Sequence, residues 1–134
     1  MKPVNWLGTS RKDIKAFDAD ARRVAGVELG LVQQGLDPTD WKPMSAIAVG
    51  VREIRINTRV ESRVLYITKF ANAIYVLHAF IKKSQKTEQR DIDIARSRLA
   101  ELVEAMSVRQ GKRNEQETED RDRIGKCVLR FGLR

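Results

Sequence analysis

The chain has one cysteine, Cys127, so no internal disulfide can form. That fits a reducing compartment. It has one histidine, His78, far from Cys127 in sequence, so a zinc-type Cys/His ligand set is not expected. Cys127 reads as a spare thiol rather than a catalytic nucleophile. There are only three prolines and no low-complexity tract or internal repeat, an ordinary globular composition. No apolar run approaches the roughly 20 residues that span a bilayer. The opening segment Met1–Trp6 lacks the apolar stretch of a signal peptide. The expected location is therefore the cytoplasm, away from membranes. Neither a GxxxxGK[ST] loop nor a GxGxxG turn occurs, and no Ser/His/Asp triad is recognisable. Neither a cofactor nor a metal is expected.

Positive charge is plentiful. Lys and Arg number 26 against 18 Asp and Glu, giving a net charge of +8 in 134 residues. Such an excess favours polyanionic partners, with nucleic acid first and acidic protein segments second. Hydrophobic residues make up 42%, enough for one domain with a real core and an appended tail.

Periodicity predicts the order β–α–α–β–β–β–α. Val4–Gly8 reads as a short strand. Ser10 is a helix-cap candidate before a short helix through Ile14 and Phe17. Asp18 is the next cap, opening a helix to about Gln34 with Ala21, Val24, Val27, Leu31 and Val32 on one stripe, stopped by Gly35. Leu36–Pro43 reads as a loop by its Pro and Asp content. Three strands follow, at 51–57, 63–70 and 74–81, joined by short links into an antiparallel meander. The last is almost continuously apolar and therefore central. A final helix covers about 88–107, on Ile92, Ala95, Leu99, Leu102, Val103 and Met106. The expected domain is 1–107. Residues 108–134 form a charged C-terminal extension, expected to be poorly ordered, with Val128, Leu129 and Phe131 regaining some apolar character. The expected fold is α+β: a small antiparallel sheet, two N-terminal helices on one face, and a C-terminal helix. The other face is expected to stay partly open.

Basic groups gather on that expected open face. If Ile54 and Ile56 point at the helices, Glu53 and Arg55 point away from them. Arg63 opens the next strand. His78, Phe80 and Lys82 share a face of the last, and Lys83 and Lys86 follow. This suits RNA cleavage without a metal. A base takes the 2′-hydroxyl proton, fixed cations stabilise the charge added at phosphorus, and an acid protonates the leaving 5′-oxygen. Arg63 is the phosphate stabiliser by its bidentate guanidinium. Lys82, Lys83 and Lys86 share that work or act as acid, and Glu53 or His78 is the base. The expected RNA-contacting set is Arg52, Arg55, Arg63, Lys69, Lys82, Lys83, Lys86 and the ring of Phe80. Bland alternatives stand beside these readings. Glu53 and Arg55 can form a surface ion pair, His78 can be structural, Phe80 can belong to the core, and the lysine run can be a solvated lead into a helix.

Val51–Ile56, Arg63–Ile67 and Tyr75–Thr87, the last ending Lys82-Lys83-Ser84-Gln85-Lys86-Thr87, together resemble the RelE/HigB-type toxins. The similarity is greatest to a phage-related branch carrying a KK-x-x-KT stretch. Leu36-Asp37-Pro38 and Trp41-Lys42-Pro43-Met44 resemble that branch as well, and the likeness covers roughly residues 3 to 104. The resemblance implies a RelE-like microbial ribonuclease fold. It implies a ribosome-dependent mRNA endonuclease that works without metal and is held inactive by a cognate antitoxin, often a helix-turn-helix protein. The family's strand arginine falls on Arg63, its basic residues after the last strand on Lys82, Lys83 and Lys86, and its charged second-strand positions on Glu53 and Arg55. Two departures are visible. Glu88 stands where the branch often has proline after the KT pair, and the chain continues past the last helix to Arg134, where members commonly stop. A tyrosine or histidine near the C-terminus that serves some members has no match.

The leading expectation is a type II toxin, an endoribonuclease acting on mRNA at the ribosome. The rival from another class is a non-catalytic RNA- or DNA-binding module, including a degraded toxin; a regulator acting only through its partner is a third.

Overall fold

A side-chain cap opens the second helix but not the first in this computed structural model, which describes residues 1–83 and 87–125, with side chains through residue 108. Lys86 and Cys127, and the apolar positions Val128, Leu129 and Phe131, lie outside the described residues. Strand β1 (Val4–Trp6) leads into helix α1 (Ser10–Lys15). Thr9, not Ser10, holds the cap position; the Ser10 hydroxyl is buried and donates to the Val76 carbonyl at 3.3 Å. Asp18 caps helix α2 (Ala19–Gln33) as its short carboxylate allows, accepting from the Ala21 N–H at 2.7 Å. Ala21, Ala25, Leu29 and Val32 form the buried stripe of α2. Val27, expected on that stripe, falls on the far side at 3.6 residues per turn and is exposed.

The sheet has five strands in the order β1-β5-β4-β3-β2. Strands β3 (Val51–Asn57), β4 (Glu61–Ile67) and β5 (Ile74–Ile81) form the expected antiparallel meander. Two strands modify the expected sheet. β1 lies parallel to β5, with Asn5 opposite Tyr75, so the sheet is mixed. Part of the expected loop is strand β2 (Trp41–Pro43), antiparallel to β3 with Lys42 opposite Glu53. A proline is tolerated there because β2 is an edge strand. The fold is α+β and compatible with a RelE-like fold.

On one face, Ile54, Ile56, Val64, Tyr66, Ile74, Val76 and Ala79 pack against Ile14, Phe17, Ala21, Ala25, Leu29 and Val32 of the N-terminal helices and the turn between them. A β-bulge decides which residues of β5 reach the second face. Leu65 opposes His78 and Tyr66 opposes Val76, so Leu77 is an extra residue and Val76 and His78 point to opposite faces.

The second face is not open as expected. Val51, Leu65, Ile67 and Leu77 on the sheet, Met44 and Ile47 in the β2–β3 connection, and Ala95 and Leu99 of helix α3 (Gln89–Gly125) are all buried. Arg98 of α3 donates to the Leu77 carbonyl at 2.9 Å and to the Thr9 hydroxyl at 3.1 Å. Its guanidinium lies against Gly8, whose φ is +54°; a β-carbon there would collide with it. Arg96 Nε donates to the Ala46 carbonyl at 3.0 Å. The first turns of α3 therefore cap the face that the meander alone would leave bare. The helix continues past Ser107, where the apolar period ends, through a run rich in Glu, Gln, Lys and Arg, all good helix formers. From Ala100 onward the chain is a second compact unit. No helix among the described residues is long and apolar enough to cross a membrane.

Candidate functional site

Strand register lines up the second face in two rows. Lys42, Glu53, Leu65 and His78 follow one another across β2, β3, β4 and β5. Arg55, Arg63 and Phe80 form the adjacent row. In the first row, diagonal to Arg63 of the second, sits Glu53, with no exposed surface.

A buried carboxylate is stable only where charges and donors answer it. Thr87 donates to Glu53 Oε2 at 2.8 Å. Arg63 Nε and Lys42 Nζ each stand 3.8 Å from Glu53 Oε1, within ion-pair range but beyond a hydrogen bond. Among the described residues, Glu53 Oε1 and Arg63 Nε have no hydrogen-bond partner. Arg63 is itself buried. Its Nη1 donates to the Ser62 carbonyl at 2.9 Å and its Nη2 to Glu61 Oε1 at 2.7 Å. Lys82 completes the group; its backbone N–H donates to the Glu61 carbonyl at 2.8 Å. Its ammonium titrates below the ordinary lysine range, first because of burial, then because of Arg63 and Lys42, against the opposing pull of Glu53 and Glu61.

Two cations, Lys42 of β2 and Arg63 of β4, thus stand at ion-pair range of one carboxylate, and Lys82, just past β5, feels their charge. The surplus positive charge and the depressed lysine are what a phosphate site needs. The sign for stability follows from the lowered pKa. As pH rises, folded Lys82 loses its proton before unfolded Lys82 does, so between the two values the unfolded chain binds more protons and folding gains stability. The urea midpoint of Lys82→Met relative to the parent should therefore be more favourable near about pH 8 than near about pH 10. A difference that does not change with pH would remove Lys82 from the cluster.

The remaining sequence-derived positions are dispersed. Arg55 turns to Asp40, 3.8 Å away. Arg52 is opposite Tyr66 on the helix side of the sheet, bonded to Asp37 at 2.9 Å and lying 4.0 Å over the Trp41 ring. Lys69 is exposed, 5.5 Å over the ring of Phe70. His78 is buried, with Nε2 2.8 Å from Asp91 Oδ1 and its ring stacked 5.2 Å from Phe80. Lys83, with His78 and Phe80, lines a separate cleft of about 470 Å³ between α1 and α3. Lys86 lies outside the described residues. The structure brings together Glu53, Arg63 and Lys82, and it adds Lys42, Glu61 and Thr87. Lys42 falls in a segment whose Pro and Asp content reads as a loop, and Glu61, the first residue of β4, falls in the polar link before it. A signal for Lys42 existed: Trp41-Lys42-Pro43-Met44 is one of the segments that carry the family resemblance.

Comparison with known proteins bears on the same region. A family model described as phage-derived protein Gp49-like (DUF891) matches residues 12–100, about two-thirds of the chain, a stretch that includes every member of the cluster. No curated protein matches the chain.

Proposed function

From the premise that the chain belongs to the phage-derived Gp49-like family, which is associated with RelE-like toxins, we propose that it is the toxin of a type II toxin–antitoxin pair and cuts mRNA. The observation that carries the proposal is the gathering of Lys42 and Arg63 about Glu53 on one side of the sheet, with Lys82 tied by its backbone to Glu61, the other acidic partner of Arg63. The substrate is a phosphodiester beside a free 2′-hydroxyl. Attack of the 2′-oxygen on phosphorus, with its proton passing to solvent water, forms a 2′,3′-cyclic phosphate and expels the 5′-oxygen, which needs a proton. Arg63 holds a non-bridging oxygen with its planar fork, and Lys42 offsets the charge that develops there. Lys82, more acidic than an ordinary lysine, is the proton donor to the leaving oxygen. Glu53 has no exposed surface, so its part is positional: it fixes Arg63, Lys42 and Thr87. The ribosome presents mRNA in the cytoplasm, and an antitoxin, of helix-turn-helix type in this reading, silences the protein until then.

The test is expression of the chain without a partner, followed by growth and mRNA mapping, with cleavage in vitro assayed in the presence of a chelator and of ribosomes. Growth arrest and chelator-resistant cleavage are expected. Arg63→Lys keeps the buried charge but not the fork, and Lys82→Met removes the proton donor. Each should slow cleavage by roughly 100-fold, the scale of one lost transition-state contact. Tight RNA binding with intact transcripts would replace this reading by a non-catalytic nucleic-acid-binding module.

A further inference from the structure

Arg63 is nearly enclosed, yet one of its partners stands in solvent. Its side chain is 4% exposed, whereas that of Glu61 is 59% exposed. Ser62 offers a backbone carbonyl fixed in the strand, and Glu53 is locked from its far side by Thr87. Glu61 alone can leave. Its backbone is held by pairing with Asn57 and by the Lys82 N–H, so departure needs only side-chain rotation. Its carboxylate meets the guanidinium at 2.7 Å, the short charge-assisted contact that a phosphate oxygen also makes. Its own carbonyl accepts from the Lys82 N–H, so Lys82 is its neighbour across the strand end.

We infer that the place now taken by the Glu61 carboxylate on Arg63 is the seat of the RNA phosphodiester, and that Glu61 is a built-in occupant which the phosphate must displace. The inference deepens the ribonuclease reading and rests on it. With one partner standing in solvent and free to rotate away, the pair is a weak competitor, so the occupant keeps the buried guanidinium satisfied in the free protein without blocking a multivalent polyanion. A single free phosphate, with no further contacts to add, competes poorly against it. The seat therefore discriminates against small anions in favour of a chain of phosphates.

The experiment measures binding of a single-stranded RNA with 2′-O-methyl sugars, which cannot cleave itself, and of inorganic phosphate, to the full chain by calorimetry. Glu61→Gln should bind both probes more tightly, by about threefold to tenfold. Asp20→Asn removes the same charge from a surface pair with Arg23 on α2, remote from the cluster in sequence, and controls for net charge. It should give less than half that gain. In the double variant Glu61→Gln/Arg63→Lys the gain should vanish. If Glu61→Gln binds no more tightly than Asp20→Asn while Arg63→Lys still weakens RNA binding, the seat is elsewhere and the ribonuclease reading survives. If Arg63→Lys leaves RNA binding unchanged, both fall.

Discussion

Replacing Arg63 with methionine should lower the free energy of unfolding by about 3–5 kcal/mol, measured by urea denaturation. Methionine fills much of the arginine stem's volume, so the effect is not chiefly a cavity. It comes from Glu53, which has no exposed surface and would lose its buried counter-charge. Thr87 supplies one hydrogen bond, and Lys42 stands at 3.8 Å with 37% of its side chain exposed, so neither replaces Arg63 in full. Removing the carboxylate as well makes the point sharper. Glu53→Gln/Arg63→Met should be more stable than the sum of its single effects implies, because no ion is left stranded. A loss under about 1 kcal/mol in Arg63→Met would mean that the buried pair is not the keystone of this face. Loss of activity in that variant cannot be separated from loss of fold, which is why the milder Arg63→Lys carries the functional test.

How far this arrangement could be read in advance differs from element to element. β3, β4 and β5 were legible because period-two patterning and apolar runs report local burial. Asp18 was legible because capping is a contact between near neighbours. Arg63 and Lys82 were identifiable from a basic pattern in strands whose faces alternate. β2 was not, since three residues with a proline carry no periodicity, and with it went Lys42. The cover over part of the second face is illegible for a related reason. What covers it is α3, which reaches β5 through Asp91 on His78 and Arg98 on the Leu77 carbonyl, tertiary contacts that periodicity within one element does not report. The bulge at Leu77 breaks the period itself: strict alternation puts Val76 and His78 on one face, and the register puts them on two. Arg52 was grouped with the RNA-contacting residues by charge alone, and alternation from Glu53 already sends it to the helix side.

Asp91→Ala should destabilise the protein by about 2–3 kcal/mol, the scale of a buried hydrogen bond to an ionised group. Asp91 sits in the first turn of α3, where its charge also suits the helix N-terminus, and it reaches His78 at 2.8 Å with both side chains under a tenth exposed. The pair ties α3 to β5, and Thr87, just before the helix, ties the same segment to Glu53 on β3. Losing the first tie should loosen the second. The expected readouts are faster amide exchange in the C-terminal half of β5 and the first turn of α3, and weaker RNA binding than in the parent but stronger than in Arg63→Lys. A cycle with His78→Ala should show the double variant costing less than the two singles together, since each leaves the other's partner unsatisfied. Strict additivity would mean that the contact contributes nothing as a pair. Destabilisation with unchanged RNA binding would mean that α3 holds the fold together but does not hold the cations in place.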